Sequence, residues 1–295
     1  MNKRRAPALS LLLVSALLLS GCAGGGFPVS QSFNIGTHSL YLECVGSGRQ
    51  VVVIDVGAGD SYKNWEAVMG HLSETATVCG YDRAGYGQSE PGPLPRTSAQ
   101  AASELRALLQ AAALPGPYLL VGHSLGGVNM QVFAAQYPDV TAGLILLDPT
   151  PLGWMQDGST FPELTAQFMA QAQEMEAQAE ALLTSEAPED QTQGAYLQAL
   201  ASEHKELLGE SARQVAGIES FGDLPLLVIN AAQPNPAFGE SADAFQTYWI
   251  EQSQALAQKS SAGRFVLAED SGHMIYIDSP GTMIIAVRDL LEKLR

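Results

Sequence analysis

The sequence predicts an α/β fold: a mostly parallel sheet with helices on both faces and a helical cap inserted before the penultimate strand. Three observations predict it. Short runs rich in Val, Ile and Leu alternate along the chain with helical patterns. Most of those runs are apolar throughout, as strands covered on both faces must be. One long segment, between residues 147 and 226, breaks the alternation with helical periodicity and no β pattern.

The strands are expected at 39–45, 51–56, 75–80, 118–122, 143–147, 226–229 and 264–267. The first alternates; the second, Val51-Val52-Val53-Ile54-Asp55-Val56, is a β-branched run that fits a pleated buried surface. Helical patterns fall between them at 65–72, 98–113, 125–137, 242–259 and 282–294, the third ending before Pro138. In the interrupting segment Phe161, Leu164, Phe168, Ala172, Met175, Ala179 and Leu182 recur at spacings of three and four, which marks one apolar helix face. Leu197, Leu200, His204 and Leu207 form a second stripe. Most Met and Phe residues there are expected to pack the cap, a minority to line an apolar acyl pocket. The acidic, Gln-rich stretch 186–193 is expected as a solvated loop.

At 295 residues and 46% hydrophobic, the chain can hold one large α/β domain with an insertion. Residues 2–5, Asn-Lys-Arg-Arg, are basic, residues 8–19 are apolar but short of the ~20 residues a membrane span needs, and Leu19-Ser20-Gly21-Cys22 follows. This arrangement resembles the signal peptide and lipobox of bacterial lipoproteins. It implies cleavage before Cys22, lipidation there, and residence in the cell envelope facing the periplasm or exterior, anchored to the membrane by several acyl chains. The expected division is a signal peptide over 1–21, a lipidated tether over 22–32, a core domain over 33–149 and 222–295, and a cap over 150–221. Without residues 1–21 the 15 basic residues fall to 12 against 31 acidic ones. A chain so acidic repels nucleic acid. No Cys or His spacing suggests a metal site.

The chemistry concentrates around Gly122-His123-Ser124-Leu125-Gly126, a G-x-S-x-G motif between an expected strand and an expected helix. A serine on such a turn is raised above the strand ends, where sheets of this kind bind ligands, and the helix that starts beside it offers free N–H groups. Three more pieces follow in order: Val56-Gly57-Ala58-Gly59 after a strand, Asp82-Arg83-Ala84-Gly85-Tyr86-Gly87-Gln88-Ser89, and Ser271-Gly272-His273 after the last strand. Together they resemble the α/β-hydrolase superfamily over nearly all of residues 33–295, and in particular single-domain bacterial hydrolases with a helical cap.

The resemblance implies Ser124 as nucleophile and His273 as its base, with the backbone N–H groups of Leu125 and Ala58 forming the oxyanion hole. Valine at 56 stands where the family often has histidine, which leaves backbone donation intact. The acid usually follows the strand at 226–229, but Asn230-Ala231-Ala232-Gln233-Pro234-Asn235-Pro236 carries no carboxylate. A minority of relatives place it one strand earlier, which points to Asp148; Glu240 and Asp243 are the alternatives. His38 and His71 have no carboxylate or serine context; with His123 and His204 they are expected to be structural, and Asp82 and Arg83 to hold their own loop. In the family's strand order the strands bearing Cys44 and Cys79 are neighbours, so a disulfide and two buried thiols both remain open. The implied activity is cleavage of carboxylic esters of a small-molecule acyl substrate through an acyl-enzyme, without a cofactor. Serine at 124 argues against dehalogenases and epoxide hydrolases, which carry Asp there. Amidase, aminopeptidase, lactonase and C–C hydrolase chemistry share the triad, and a binding module on a degenerate scaffold is the alternative outside enzymes.

Overall fold

The computed structural model describes residues 29–153 and 160–294. Eight strands build it: β1 (Val29–Asn34), β2 (Ser39–Val45), β3 (Val51–Asp55), β4 (Thr77–Tyr81), β5 (Tyr118–His123), β6 (Thr141–Leu147), β7 (Leu226–Ala231) and β8 (Gly263–Ala268). They form one sheet in the order β1-β2-β4-β3-β5-β6-β7-β8. Pairing is parallel from β4 to β8, while β2 runs antiparallel to both β1 and β4.

Successive residues of a strand face opposite sides, and the apolar runs use both. Val51, Val53, Leu120, Leu144 and Val228 enter one core, while Val52, Ile54, Leu119, Val121, Ile145 and Ile229 enter the other. The first core is closed by α2 (Ser98–Ala111), N-capped by the Thr97 hydroxyl, and by α3 (Leu125–Gln136). The second is closed by α1 (Glu66–Leu72) and by α9 (Pro280–Lys293), which buries Met283, Val287 and Leu291 at spacings of four. Helix α7 (Ala242–Ala257) connects β7 to β8, and the single turn α8 (Ile275–Asp278) follows β8.

Between β6 and β7 lie α4 (Pro162–Leu183), α5 (Pro188–Leu208) and α6 (Glu210–Ala216). Leu164, Leu207 and Ala212 of these helices pack with Leu125 and Val128 of α3, which places the insertion over the carboxyl ends of the central strands.

Two differences from the sequence expectation have physical causes. The expected solvated loop at 186–193 is largely the first turns of α5. Pro188 occupies a first-turn position where its missing N–H costs nothing, and Glu189 and Asp190 complement the positive helix end. Val29–Ser32, assigned to the tether, belong to β1, because β2 would otherwise expose an unpaired edge and Val29 and Phe33 can pack on the first core. The remainder of the tether, the signal peptide and the lipobox Cys22 lie outside the described residues. The cysteine alternatives are also resolved: Cys44 and Cys79 stand opposite one another on β2 and β4, and their sulfurs are bonded at 2.09 Å.

Candidate active site

Ser124 links the end of β5 to the start of α3 with φ 53° and ψ −119°, a conformation that a non-glycine residue holds only under the constraint of its surroundings. Gly122 and Gly126 make that turn feasible. A Cβ on Gly122 would lie 2.5 Å from Gly126 O, and one on Gly126 would lie 2.1 Å from Asp55 O. Neither position accepts a side chain without moving backbone. The glycine spacing therefore exists to seat the turn against β3.

Asp148 follows β6, one strand over. It too has positive φ, 41°, and its N–H donates to Ile229 O at 2.7 Å. The side chain is 1% exposed, and its two oxygens have separate tasks. Oδ1 accepts the Ala231 N–H at 3.0 Å, and Oδ2 accepts from His273 Nδ1 at 2.6 Å. Burial pushes the Asp148 carboxyl above the ordinary range, against the lowering pull of the His273 contacts and the Ala231 N–H. Glu240 and Asp243 are exposed.

His273 comes from the segment after β8. An Nδ1–H held on a carboxylate leaves Nε2 as the bare, proton-accepting nitrogen. Its main chain is fixed from below: His123 Nε2–H donates to His273 O at 2.9 Å, and the two rings lie 4.7 Å apart. Burial, and secondarily His273, push His123 down to about 3, so it remains a neutral strut. Trp249 flanks His273 at 5.3 Å, and its indole N–H is held on Pro149 O. The Ser124 hydroxyl lies 3.4 Å from the Thr150 hydroxyl, a weak contact of a kind that tightens or exchanges when substrate binds.

Ser124, Leu125, Ala58 and His273 open on a cavity of about 230 Å³. Among the described residues, no protein acceptor takes the backbone N–H of Leu125 or of Ala58. The cavity's apolar walls include Leu125, Leu164, Phe168, Leu207, Phe245 and Trp249. Gln167, Gln171, His204 and Asn235 supply polar groups, and no Lys, Arg, Asp or Glu lines it among the described residues. His204 stacks on Phe168 and gives Nδ1–H to Leu200 O, while burial lowers its pKa.

The structure thus brings Ser124, His273, Asp148, Leu125 and Ala58 to one place. Among the cap Met and Phe residues, a minority of which is expected to line an apolar pocket, Phe168 does line the cavity. Thr150, Trp249 and the other cavity residues of α7 were not visible as site residues in the sequence; helical periodicity marks a buried face but not which members turn from core to cavity. Two expectations need correction. His38 does have a carboxylate partner, with Nε2 3.5 Å from Glu104, because α2 packs beneath the β2 hairpin. Asp82 holds its own loop through the Gln88 N–H, but Arg83 reaches across to β3 and the loop after it.

Residues 50–246 match the family described by the α/β hydrolase fold, two thirds of the chain. The protein belongs to the α/β-hydrolase fold family, and its class is hydrolase. Among curated relatives it is 28% identical to YqjL of Bacillus subtilis over 246 residues, covering 83% of this chain and 85% of that protein. It is 32% identical to the 2-(acetamidomethylene)succinate hydrolase of Mesorhizobium japonicum over 126 residues, 42% of this chain and 44% of the relative. Among solved structures, a thermophilic esterase from Thermogutta terrifontis superposes with TM-score 0.67 at 22% identity, covering 90% of this chain and 99% of the esterase. A laboratory-evolved potato epoxide hydrolase superposes with TM-score 0.68 at 16% identity, with 90% and 99% coverage. At those identities the likeness is one of fold.

Proposed function

We propose that this protein is a lipid-anchored, extracytoplasmic serine hydrolase that cleaves neutral carboxylic esters with Ser124, His273 and Asp148. The observation that carries the proposal is the 2.6 Å contact between buried Asp148 and half-buried His273, with His273 lining the same cavity as a serine at φ 53°. In the first half-reaction Ser124 Oγ attacks the ester carbonyl while His273 Nε2 takes its proton. The tetrahedral oxyanion accepts hydrogen bonds from Leu125 N–H and Ala58 N–H. Asp148 holds the imidazole tautomer and stabilises the imidazolium. Collapse expels the alcohol, which takes the proton from His273, and leaves Ser124 acylated. Water then attacks with His273 as base, and collapse releases the carboxylic acid and restores the serine.

The cavity supports a neutral acyl group. Burying a carboxylate without a cationic partner is costly, and no such partner lines these walls among the described residues. The Mesorhizobium relative, by contrast, is named for a dicarboxylate, 2-(acetamidomethylene)succinate. The anchor rests on Leu19-Ser20-Gly21-Cys22.

A panel of neutral and carboxylate-bearing esters, matched amides and lactones tests the proposal on purified protein. Turnover of neutral short- to medium-chain esters at least tenfold above the others is expected. Preference for amides, or for acyl groups bearing a carboxylate, would overturn the substrate assignment.

A further inference from the structure

Arg83 is 2% exposed, and all five of its N–H groups have acceptors. Nε donates to Glu203 Oε1 at 2.8 Å and Nη2 to Glu203 Oε2 at 3.3 Å. Nη1 donates to Asp55 Oδ1 at 2.7 Å and to Val56 O at 2.7 Å, and Nη2 also reaches Gly57 O at 3.0 Å. The two carbonyls belong to the loop after β3 and lie just before Ala58. Asp55 is tied in turn to α3 through Asn129 Nδ2 at 3.0 Å, and Glu203 accepts the Tyr86 hydroxyl at 2.5 Å. Glu203 is on α5, in the inserted helices.

The C=O and N–H of one trans peptide point in opposite directions. Holding Gly57 O toward Arg83 therefore turns the N–H of Ala58 the other way, and Ala58 lines the cavity beside Ser124 and Leu125. The loop is also close to the nucleophile, since a Cβ built on Gly57 would lie 3.4 Å from Ser124 Cβ. We infer that Arg83 and Glu203 are positioning residues for the oxyanion hole. Arg83 clamps the Val56 and Gly57 carbonyls so that Ala58 N–H faces the reacting oxygen, and Glu203 completes the clamp from the inserted helices, so full transition-state binding requires that insertion to be seated. The inference rests on the serine-hydrolase assignment above.

A clamp of this kind acts on the charge that develops in the transition state and little on the bound ester. Loss of one oxyanion donor typically lowers kcat about 10²–10³-fold, and a misaimed donor should cost part of that. Arg83→Lys keeps the charge but lacks the planar five-donor fork, Glu203→Ala removes the closing acceptors, and Glu203→Gln keeps the shape and one acceptor. Active sites are counted by the end-point of fluorophosphonate labelling, so that misfolded protein does not enter kcat. Expected are kcat losses of about 10–10³-fold per labelled site for Arg83→Lys and Glu203→Ala, a smaller loss for Glu203→Gln, and KM within threefold of wild type. Affinity for a trifluoromethyl ketone, which forms a tetrahedral adduct on the serine, should fall in parallel with kcat/KM. Glu203→Gln is nearly isosteric and serves if the others do not fold. Wild-type kcat per labelled site in the folded variants, or a loss confined to KM, would refute the clamp alone. A wild type that neither labels nor turns over would refute the clamp and the serine-hydrolase assignment together.

Discussion

Replacing Asp148 with Asn should separate catalysis from stability. The carboxylate has two acceptor tasks, Ala231 N–H at Oδ1 and His273 Nδ1–H at Oδ2. Asparagine has one oxygen. If it stays on Ala231 N–H, the amide NH₂ faces His273 and demands an acceptor there, which drives the imidazole proton to Nε2. That nitrogen can then no longer take the serine proton. The general template for this tautomer error is a loss of about 10⁴ in kcat, or ~5.4 kcal/mol of transition-state stabilisation. The fold should respond in the opposite sense. Because burial raises the folded-state pKa of Asp148 above its unfolded value, the native state holds more protons between the two values, and this group makes stability fall as pH rises through that window. At neutral pH the ionised, buried carboxylate is therefore a cost that Asn lacks, and φ 41° is a conformation Asn tolerates. Ester turnover and thermal unfolding should show kcat down by roughly 10³–10⁴ with Tm at pH 7 equal to or above wild type, the Tm difference shrinking toward acid pH. A variant within tenfold of wild-type kcat would refute the assignment. So would a larger loss in Glu240→Gln or Asp243→Asn, which would move the acid to the loop after β7.

Three further outcomes follow from the same structure. The Cys44–Cys79 bridge closes a separation of 35 residues, so Cys44→Ser, Cys79→Ser and the double variant should each lose about 3–4 kcal/mol in denaturant unfolding; two titratable thiols in unreduced, denatured wild type would contradict the bridge. His123, held near pKa 3 when folded, picks up a proton on unfolding below about 6.5, so it contributes stability that is present above that pH and lost as pH falls toward 3, on the order of 4–5 kcal/mol in full. His123→Gln, which keeps a donor for His273 O but does not titrate, should have a flatter acid limb, and an unchanged slope would remove His123 as its source. Labelled fatty acid should enter the protein at Cys22 and be lost in Cys22→Ser; unlabelled protein cut elsewhere would overturn the anchor.

Most of the sheet was legible because strands buried on both faces leave an unmistakable apolar run, and the β3 and β5 residues fill two cores as that pattern requires. The serine turn was legible because sterics around Gly122 and Gly126 permit nothing larger. Edge strand β1 was not, since Val29-Ser30-Gln31-Ser32-Phe33-Asn34 is polar at most positions and is ordered by pairing with β2. The start of α5 was hidden by its own charge: an acidic, Gln-rich stretch looks like a solvated loop, yet Glu189 and Asp190 stabilise the helix N-terminus. Arg83 was misjudged for a different reason: its acceptors at Asp55, Val56, Gly57 and Glu203 are 26 to 120 positions away, and no local pattern encodes them.

The central claim is that Ser124 is the nucleophile of a competent site, and covalent capture tests it most directly. Purified wild type treated with a fluorophosphonate should gain one phosphonyl group, found by peptide mass mapping on Ser124, with ester turnover abolished in step with labelling. Ser124→Ala should neither label nor turn over ester, and His273→Ala should label far more slowly. An unlabelled wild type, an adduct on another residue, or ester hydrolysis that survives Ser124→Ala would contradict the account.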